Sequence, residues 1–371
     1  MQVTIIGGGI LGTMHAFEAV RRGHRVVHLE REAEARGATV RNFGLVWVSG
    51  RTGAELTATL RSRELWERLG ALVPGVGFRA AGSLTLLRTP AEVAVAEQAA
   101  ARADAADRGF TLVDPDEARA LNPALRGKFL GALHCSQDAA VESRQALPAV
   151  RAYLAATGRY TFLPGTEARA VDGRRVRDDH GRCHDGDLVI VCAGAAHGGL
   201  VRELAGELPV RRVRLQMMQT APLGEALTTA IADGDSMRYY PGFAGPALDD
   251  LTRIQPRDVV AEQHHMQLLC VQRLHGGLTI GDTHEYAEPF AFDVMQDPYG
   301  YLAGLVEELL GRELPPIERR WAGVYSQCVD PGELVCRRSP ADGVHVVTGP
   351  GGRGMTLGPV VAEQTADLIG L

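Results

Sequence analysis

The opening stretch, Met1 to Glu30, most constrains what this chain can fold into. A short apolar strand (Val3, Ile5, Ile6) enters the glycine turn Gly7-Gly8-Gly9-Ile10-Leu11-Gly12, and a helix follows through Arg22. A second strand, Arg25 to Leu29, ends on the acid Glu30. Each glycine has a physical reason. Gly7 permits a tight turn, Gly9 lets a pyrophosphate approach the backbone, and Gly12 lets helix and sheet lie close. The helix then begins with free N–H groups and the positive end of its dipole aimed at the phosphates. Glu30, roughly twenty residues on, accepts hydrogen bonds from ribose hydroxyls, and its charge disfavours a 2′-phosphate. Strand, turn, helix, strand and acid in register predict a dinucleotide site. The motif alone does not separate NAD from FAD.

At 371 residues the chain suits two interleaved domains better than one core. Apolar residues make up 45% and charged residues 23%, so a globular chain is expected rather than a disordered one. A net charge of −6 argues against nucleic acid as the main partner. The longest uncharged apolar run, Leu188 to Ala196, is far short of a membrane span. With a strand starting almost at once there is no room for a signal peptide, and the cytoplasm is the expected compartment. The six cysteines form no CxxC pair, so neither a zinc site nor a disulfide framework is expected. Lys128 is the only lysine, and its Gly-Lys-Phe setting reads as a strand start rather than a Schiff-base site.

After Glu30 and Arg31, the loop Arg36 to Gly44 is placed to cross the cofactor, with Thr39 and backbone N–H groups available to phosphates. Helical spacing predicts a helix over Thr52 to Leu69, and an alanine-rich one over Ala91 to Arg108. Ser83 to Leu87 and Gly131 to Cys135 read as strands, and Ser143 to Gly158 as a helix. Tyr160 to Phe162 and Thr166 to Val171 return the chain to the first sheet. Asp187 to Gly194 reads as a buried strand whose small end lets the chain pass beneath a dinucleotide. Such a strand after a long insertion favours an FAD fold over a simple NAD domain. Val210 to Thr220, Cys270 to Gly281 and Arg319 to Gln327 read as strands around a polar, mobile stretch, Asp233 to His265. They suit a sheet that roofs a substrate pocket. The chain closes on strand Val344 to Thr348, the loop Gly349 to Gly354 and a helix through Leu368, a second anion site of the same kind.

Taken together, the chain resembles the D-amino-acid oxidase, glycine oxidase and sarcosine oxidase superfamily of FAD-dependent amine oxidoreductases. The likeness rests on Gly7 to Gly12 with Glu30, on Arg41-Asn42-Phe43-Gly44, on Cys192-Ala193-Gly194 and on Gly349 to Gly358. It implies an α/β fold: a Rossmann-like FAD-binding domain of the GR2 type (1–80, 140–205 and 335–371). A substrate domain on a mostly antiparallel sheet (81–139 and 206–334) is interleaved with it. It implies FAD held without a covalent bond. Gly7, Gly9, Ile10, Leu11 and Gly12 would line the pyrophosphate, Glu30 would hold the adenosine ribose, and Arg31 would lie beside the adenine. Thr39, Val40, Arg41, Asn42, Phe43 and Gly44 would run along pyrophosphate and flavin. Ala168, Ala193 and Gly194 would pass beneath the adenosine half, and Gly352, Arg353, Gly354, Met355 and Thr356 would cover the pyrimidine end of the flavin.

Three departures from the resemblance bear on the substrate. Amino-acid oxidases of this group carry a Gly-x-Arg-Pro arginine that grips a carboxylate, and the matching stretch here is Gly323-Val324-Tyr325-Ser326. The covalent flavin cysteine of sarcosine oxidases matches Gly323, with Cys328 out of register, and their oxygen-activating lysine matches Thr279. The phrases Arg41 to Trp47, Arg238-Tyr239-Tyr240 and Gly281-Asp282-Thr283-His284-Glu285 look like a branch associated with phosphonate breakdown. The resemblance then implies oxidation of a small amine at its C–N bond, with O2 or another electron acceptor. The substrate would be similar to an aminoalkylphosphonate or its N-methyl derivative. Tyr239, His284, Tyr325 and Arg238 are the expected pocket groups, with Tyr240 and His265 as further donors and no metal. Glycine- or sarcosine-like substrates, a non-catalytic FAD-binding subunit and an NAD-dependent dehydrogenase are the competing readings.

Overall fold

A computed structural model describes all residues, 1–371. Its first sheet has six strands. Gln2–Ile6 lies between Arg25–Glu30 and Leu188–Val191, all parallel, and the sheet continues through Tyr160–Pro164 on one side and Val344–Thr348 on the other. Only the edge strand Cys336–Ala341 runs antiparallel. The central strand Leu188–Val191 is an unbroken run of Val, Ile and Leu because both its faces are covered. One face packs on the helices Ile10–Arg21, Gly354–Leu368, Gly53–Leu72 and Ala146–Ala156.

The second sheet has eight strands and is mostly antiparallel. Its spine is the long pair Val210–Pro222 and Ile317–Cys328, in register from Val210 opposite Cys328. Side chains alternate between the faces with period two. Leu215, Met217 and Tyr325 pack on one side with Trp47 and Tyr240, whereas Met218, Ile231 and Ile280 pack on the other, against helix Asp297–Leu310. The face bearing Leu215, Met217 and Tyr325 contributes to a cavity shared with the first sheet.

Three local expectations need correction. The helix expected over Ala91 to Arg108 stops at Ala100, and Ala105–Arg108 is a separate short helix. Thr166 to Val171 does not rejoin the first sheet: Ala168–Asp172 pairs with Arg175–Asp178 and belongs to a small separate sheet. The stretch Cys270 to Gly281 is a hairpin, Leu269–Gln272 and Gly277–Gly281, because Gly276 (φ +93°) supplies the left-handed turn conformation that breaks the run. The polar stretch from Asp233 to His265 holds two 3-10 turns and the helices Pro246–Ile254 and Val259–Gln263. Asp233 caps the first 3-10 turn, accepting from Ser236 N–H at 3.1 Å.

Candidate active site

The glycine turn is built as its sequence requires. A Cβ on Gly12 would lie 1.9 Å from Gly7 O, so only glycine allows the helix to start this close to the strand end. A Cβ on Gly7 (φ +103°) would lie 2.3 Å from Cys192 O. Beneath the turn, buried His28 bridges Gly7 O (3.0 Å) and the Tyr160 hydroxyl (2.9 Å). Burial lowers its pKa to about 3, so the ring is neutral. Buried Arg151 donates to Gly8 O and lies 4.2 Å over the Phe162 ring. Glu30 accepts from Gly8 N–H (2.6 Å) and Glu32 N–H (2.9 Å) and lines the cavity. Thr39 Oγ1 takes the Ile10 N–H at 3.0 Å and Thr13 N–H closes on Gly9 O, which leaves the Leu11 amide, on the cavity wall, for an anion.

The cavity, about 1030 Å³, runs from this turn to the roofing sheet without interruption. Along it lie Gly7, Gly9, Ile10, Leu11, Glu30, Arg31, Thr39, Arg41, Asn42, Phe43, Ala168, Ala193, Gly194 and Gly352 to Thr356. Gly12, Val40 and Gly44 do not line it. Gly12 is consumed by helix–strand packing, and Gly44 (φ +69°) by a close approach to Val141 O. The Asn42 side chain is spent on its own loop, donating to Ala38 O and Thr39 O and accepting from Gly44 N–H at 2.6 Å. The Thr356 hydroxyl likewise bridges Trp47 N–H and Leu45 O.

At the far end the structure gathers Tyr239, Tyr240, Asp282, His284, Tyr286 and Tyr325. Tyr239 stacks on His284 (centroids 4.5 Å apart) and meets Tyr240 edge-on at 5.1 Å. His284 Nδ1 faces the carbonyl of His265 at 2.9 Å, so Nδ1 carries the proton and Nε2 is an acceptor in the neutral ring. Burial raises the pKa values of the Tyr239 and Tyr325 phenols, keeping both protonated. The Tyr325 hydroxyl is buried without a hydrogen-bond partner.

Arg238 and His265 do not belong to this group. The Arg238 guanidinium is held by Asp235 (2.7 Å), Thr252 Oγ1 (3.0 Å) and Gln255 O (2.6 Å), closing the end of helix Pro246–Ile254 rather than facing the cavity. His265 contributes its backbone carbonyl, not its ring. Sequence reasoning misses Arg51. It is buried (8% exposed), lines the cavity, and lies 5.5 Å from the Tyr240 ring centroid. Its Nε donates to Trp47 O (3.2 Å) and Nη1 lies 3.2 Å from Glu55, which also meets Arg353 at 3.3 Å. Arg51 has no periodicity or motif to flag it; only its place before helix Gly53–Leu72 turns it inward.

The cavity fits a flavin dinucleotide on two observations. Gly9, Gly194 and Gly352 leave backbone bare along it, with no atom closer than 3.4 Å to where their Cβ atoms would be. The buried indole N–H of Trp47, on its wall, has no acceptor within the chain. A family model described as FAD dependent oxidoreductase (DAO) matches residues 2–368. D-amino acid dehydrogenase 2 of Ralstonia nicotianae is 24% identical, with 100% of this chain and 96% of that protein covered. Glycine oxidase from Geobacillus kaustophilus superposes with a TM-score of 0.79 at 19% identity, covering 99% of this chain and 94% of that one. Iminodiacetate oxidase from Chelativorans sp. BNC1 superposes with a TM-score of 0.78 at 20% identity, covering 99% and 95%. The chain belongs to the FAD dependent oxidoreductase family, and FAD is its cofactor.

Proposed function

We propose that this FAD-dependent oxidoreductase oxidises a small amine carrying an anionic head, with an aminoalkylphosphonate or its N-methyl derivative as the substrate class. The observation that carries this reading is Arg51, a buried cation on the cavity wall beside Tyr239 and Tyr240. An isolated buried cation is costly, and Glu55 offsets Arg51 only while shared with Arg353. Two arginines around one carboxylate leave a net positive charge for a ligand anion. The likeness of the Arg41 to Trp47, Arg238 to Tyr240 and Gly281 to Glu285 phrases to the phosphonate branch favours a phosphonate head. The names of the glycine oxidase and iminodiacetate oxidase relatives are compatible with a C–N donor.

When bound, FAD supplies acceptance of a hydride from the carbon next to nitrogen, after which the imine hydrolyses. The chain's own part is to orient the substrate. Arg51 holds the anion, the tyrosines wall off water, and Tyr325 stands where a clamp arginine would be in an amino-acid oxidase. Arg51→Gln should raise KM for N-methyl-2-aminoethylphosphonate about ten- to a hundredfold, the worth of a charge-assisted bond, and change KM for N-methylpropylamine little. Equal losses on both amines would assign Arg51 to structure. A wild-type enzyme that reduces its flavin with no anionic amine would end the reading.

A further inference from the structure

We infer that Asp282 is the seat of the substrate's ammonium, in a box of tyrosines, and takes its proton before oxidation. The inference rests on the amine-oxidising reading of this site and assigns a role to a residue that reading leaves idle.

Asp282 is 4% exposed and lines the cavity. Its backbone pairs with Gln267 in both directions, which fixes its position, and its Oδ1 accepts from Gln267 Nε2 at 3.1 Å. No other side chain donates to the carboxylate. The groups facing it come from every neighbouring segment: Gln267, Tyr239 and Tyr240, His284 and Tyr286, and Tyr325. None of these is an arginine or a lysine; His284, the one member that can carry a positive charge, has its Nδ1 on the His265 carbonyl.

The second observation is a surplus of acceptors. Gln267 Oε1, in a residue 6% exposed on the cavity wall, has no donor within the chain. A buried acceptor set without donors is costly unless a ligand brings N–H groups or positive charge. A carboxylate ringed by aromatic faces and edges is the chemistry that holds an alkylammonium, and N-methyl groups suit it because they pack on the rings while the charge stays diffuse. Burial also raises the Asp282 pKa, which brings its proton affinity closer to that of a bound amine. In the step, the N–H bond breaks, an O–H bond forms on Asp282, and the nitrogen keeps its electron pair. Nothing is oxidised in this step; oxidation of the neutral amine is the chemistry that bound FAD would supply.

Tetramethylammonium chloride is the probe, since it is cationic at every pH and cannot itself be deprotonated at nitrogen; tert-butanol is its neutral counterpart of similar shape. Binding is read by perturbation of the flavin absorbance of the FAD-loaded, full-length protein. The expected result is saturable tetramethylammonium binding that weakens at least about tenfold in Asp282→Asn, with any tert-butanol response unchanged. Equal tetramethylammonium affinity in both proteins would overturn the proposal. Should Asp282→Asn lose FAD, His284→Gln, which keeps Asp282 but removes the imidazole, decides: its affinity for tetramethylammonium must fall in acid with a single proton uptake, and a flat profile would overturn the proposal. Because this readout needs no turnover, its failure is distinct from failure to oxidise an anionic amine.

Discussion

Glu30 and His28 are neighbours but do different work. Glu30 accepts two backbone N–H groups and still faces the cavity, so it both shapes the turn and presents an acceptor. Glu30→Ala should weaken FAD binding about ten- to a hundredfold, measured as FAD retained through gel filtration or by titration of the apoprotein. Unchanged retention would remove it from the cofactor site. His28 matters through pH. Its pKa is lowered to about 3, and that of buried His15 to about 4, whereas an unfolded histidine titrates near 6.5. Between those values the unfolded chain binds more protons than the folded one, so stability falls as pH drops below about 6.5. His28→Gln should lower the urea midpoint at pH 7.5, because a bridging ring is lost. It should also make the decline toward pH 5 shallower than in the wild type. Parallel declines would mean that other groups drive acid unfolding.

Between elements, the loop Arg41 to Gly44 shows how the two sheets are tied together. Buried Arg273, on the turn of the substrate-sheet hairpin, donates to Asn42 O, Phe43 O and Val141 O, and to Thr279 Oγ1 at 2.9 Å. Thr279, whose hydroxyl accepts from Arg273 Nε, helps to position that arginine. Burial lowers the Arg273 pKa to about 10, which still leaves it charged at neutral pH. Its removal would strand several buried carbonyls. Arg273→Leu should therefore cost about 3 kcal/mol in urea unfolding and loosen FAD, because the loop lining the cavity loses its anchor. A midpoint within experimental scatter of the wild type would show that water replaces the guanidinium.

Across the molecule, the cavity requires both sheets at once. Glu30, Arg51, Tyr239, Asp282, Tyr325 and Gly352 are spread over most of the chain and line one cavity. Two cysteines, Cys192 and Cys328, also line it, and burial raises the Cys328 pKa to about 11, keeping a protonated, weakly nucleophilic thiol. FAD should therefore come away on acid precipitation, with the yellow colour in the supernatant; colour retained in the pellet would mean a covalent link. No helix is long and apolar enough to cross a membrane.

Local and periodic features are legible from the chain alone. The Gly7 to Gly12 turn, the acid at Glu30, the buried strand Leu188–Val191 and the glycine loop before helix Gly354–Leu368 each carry their geometry in adjacent residues. They do so through steric limits that only glycine escapes and through apolar runs covered on both faces. Those features are enough to expect the fold class and the cofactor. The substrate end is not legible in the same way. Tyr239, His284 and Tyr325 stand out as single residues and do share the cavity. Arg238 stands out only because it adjoins Tyr239, and chain neighbours in a 3-10 turn point different ways. Arg51 has nothing in its flanking residues to separate it from a solvated arginine, and Asp282, though inside the phrase Gly281 to Glu285, reads there as a strand-end acid. The roles proposed for them rest on burial, on the partners left to them, and on a cavity that exists only where two sheets distant in sequence close on each other. The long-range packing of those sheets, rather than any residue's own propensity, decides which charges face the substrate.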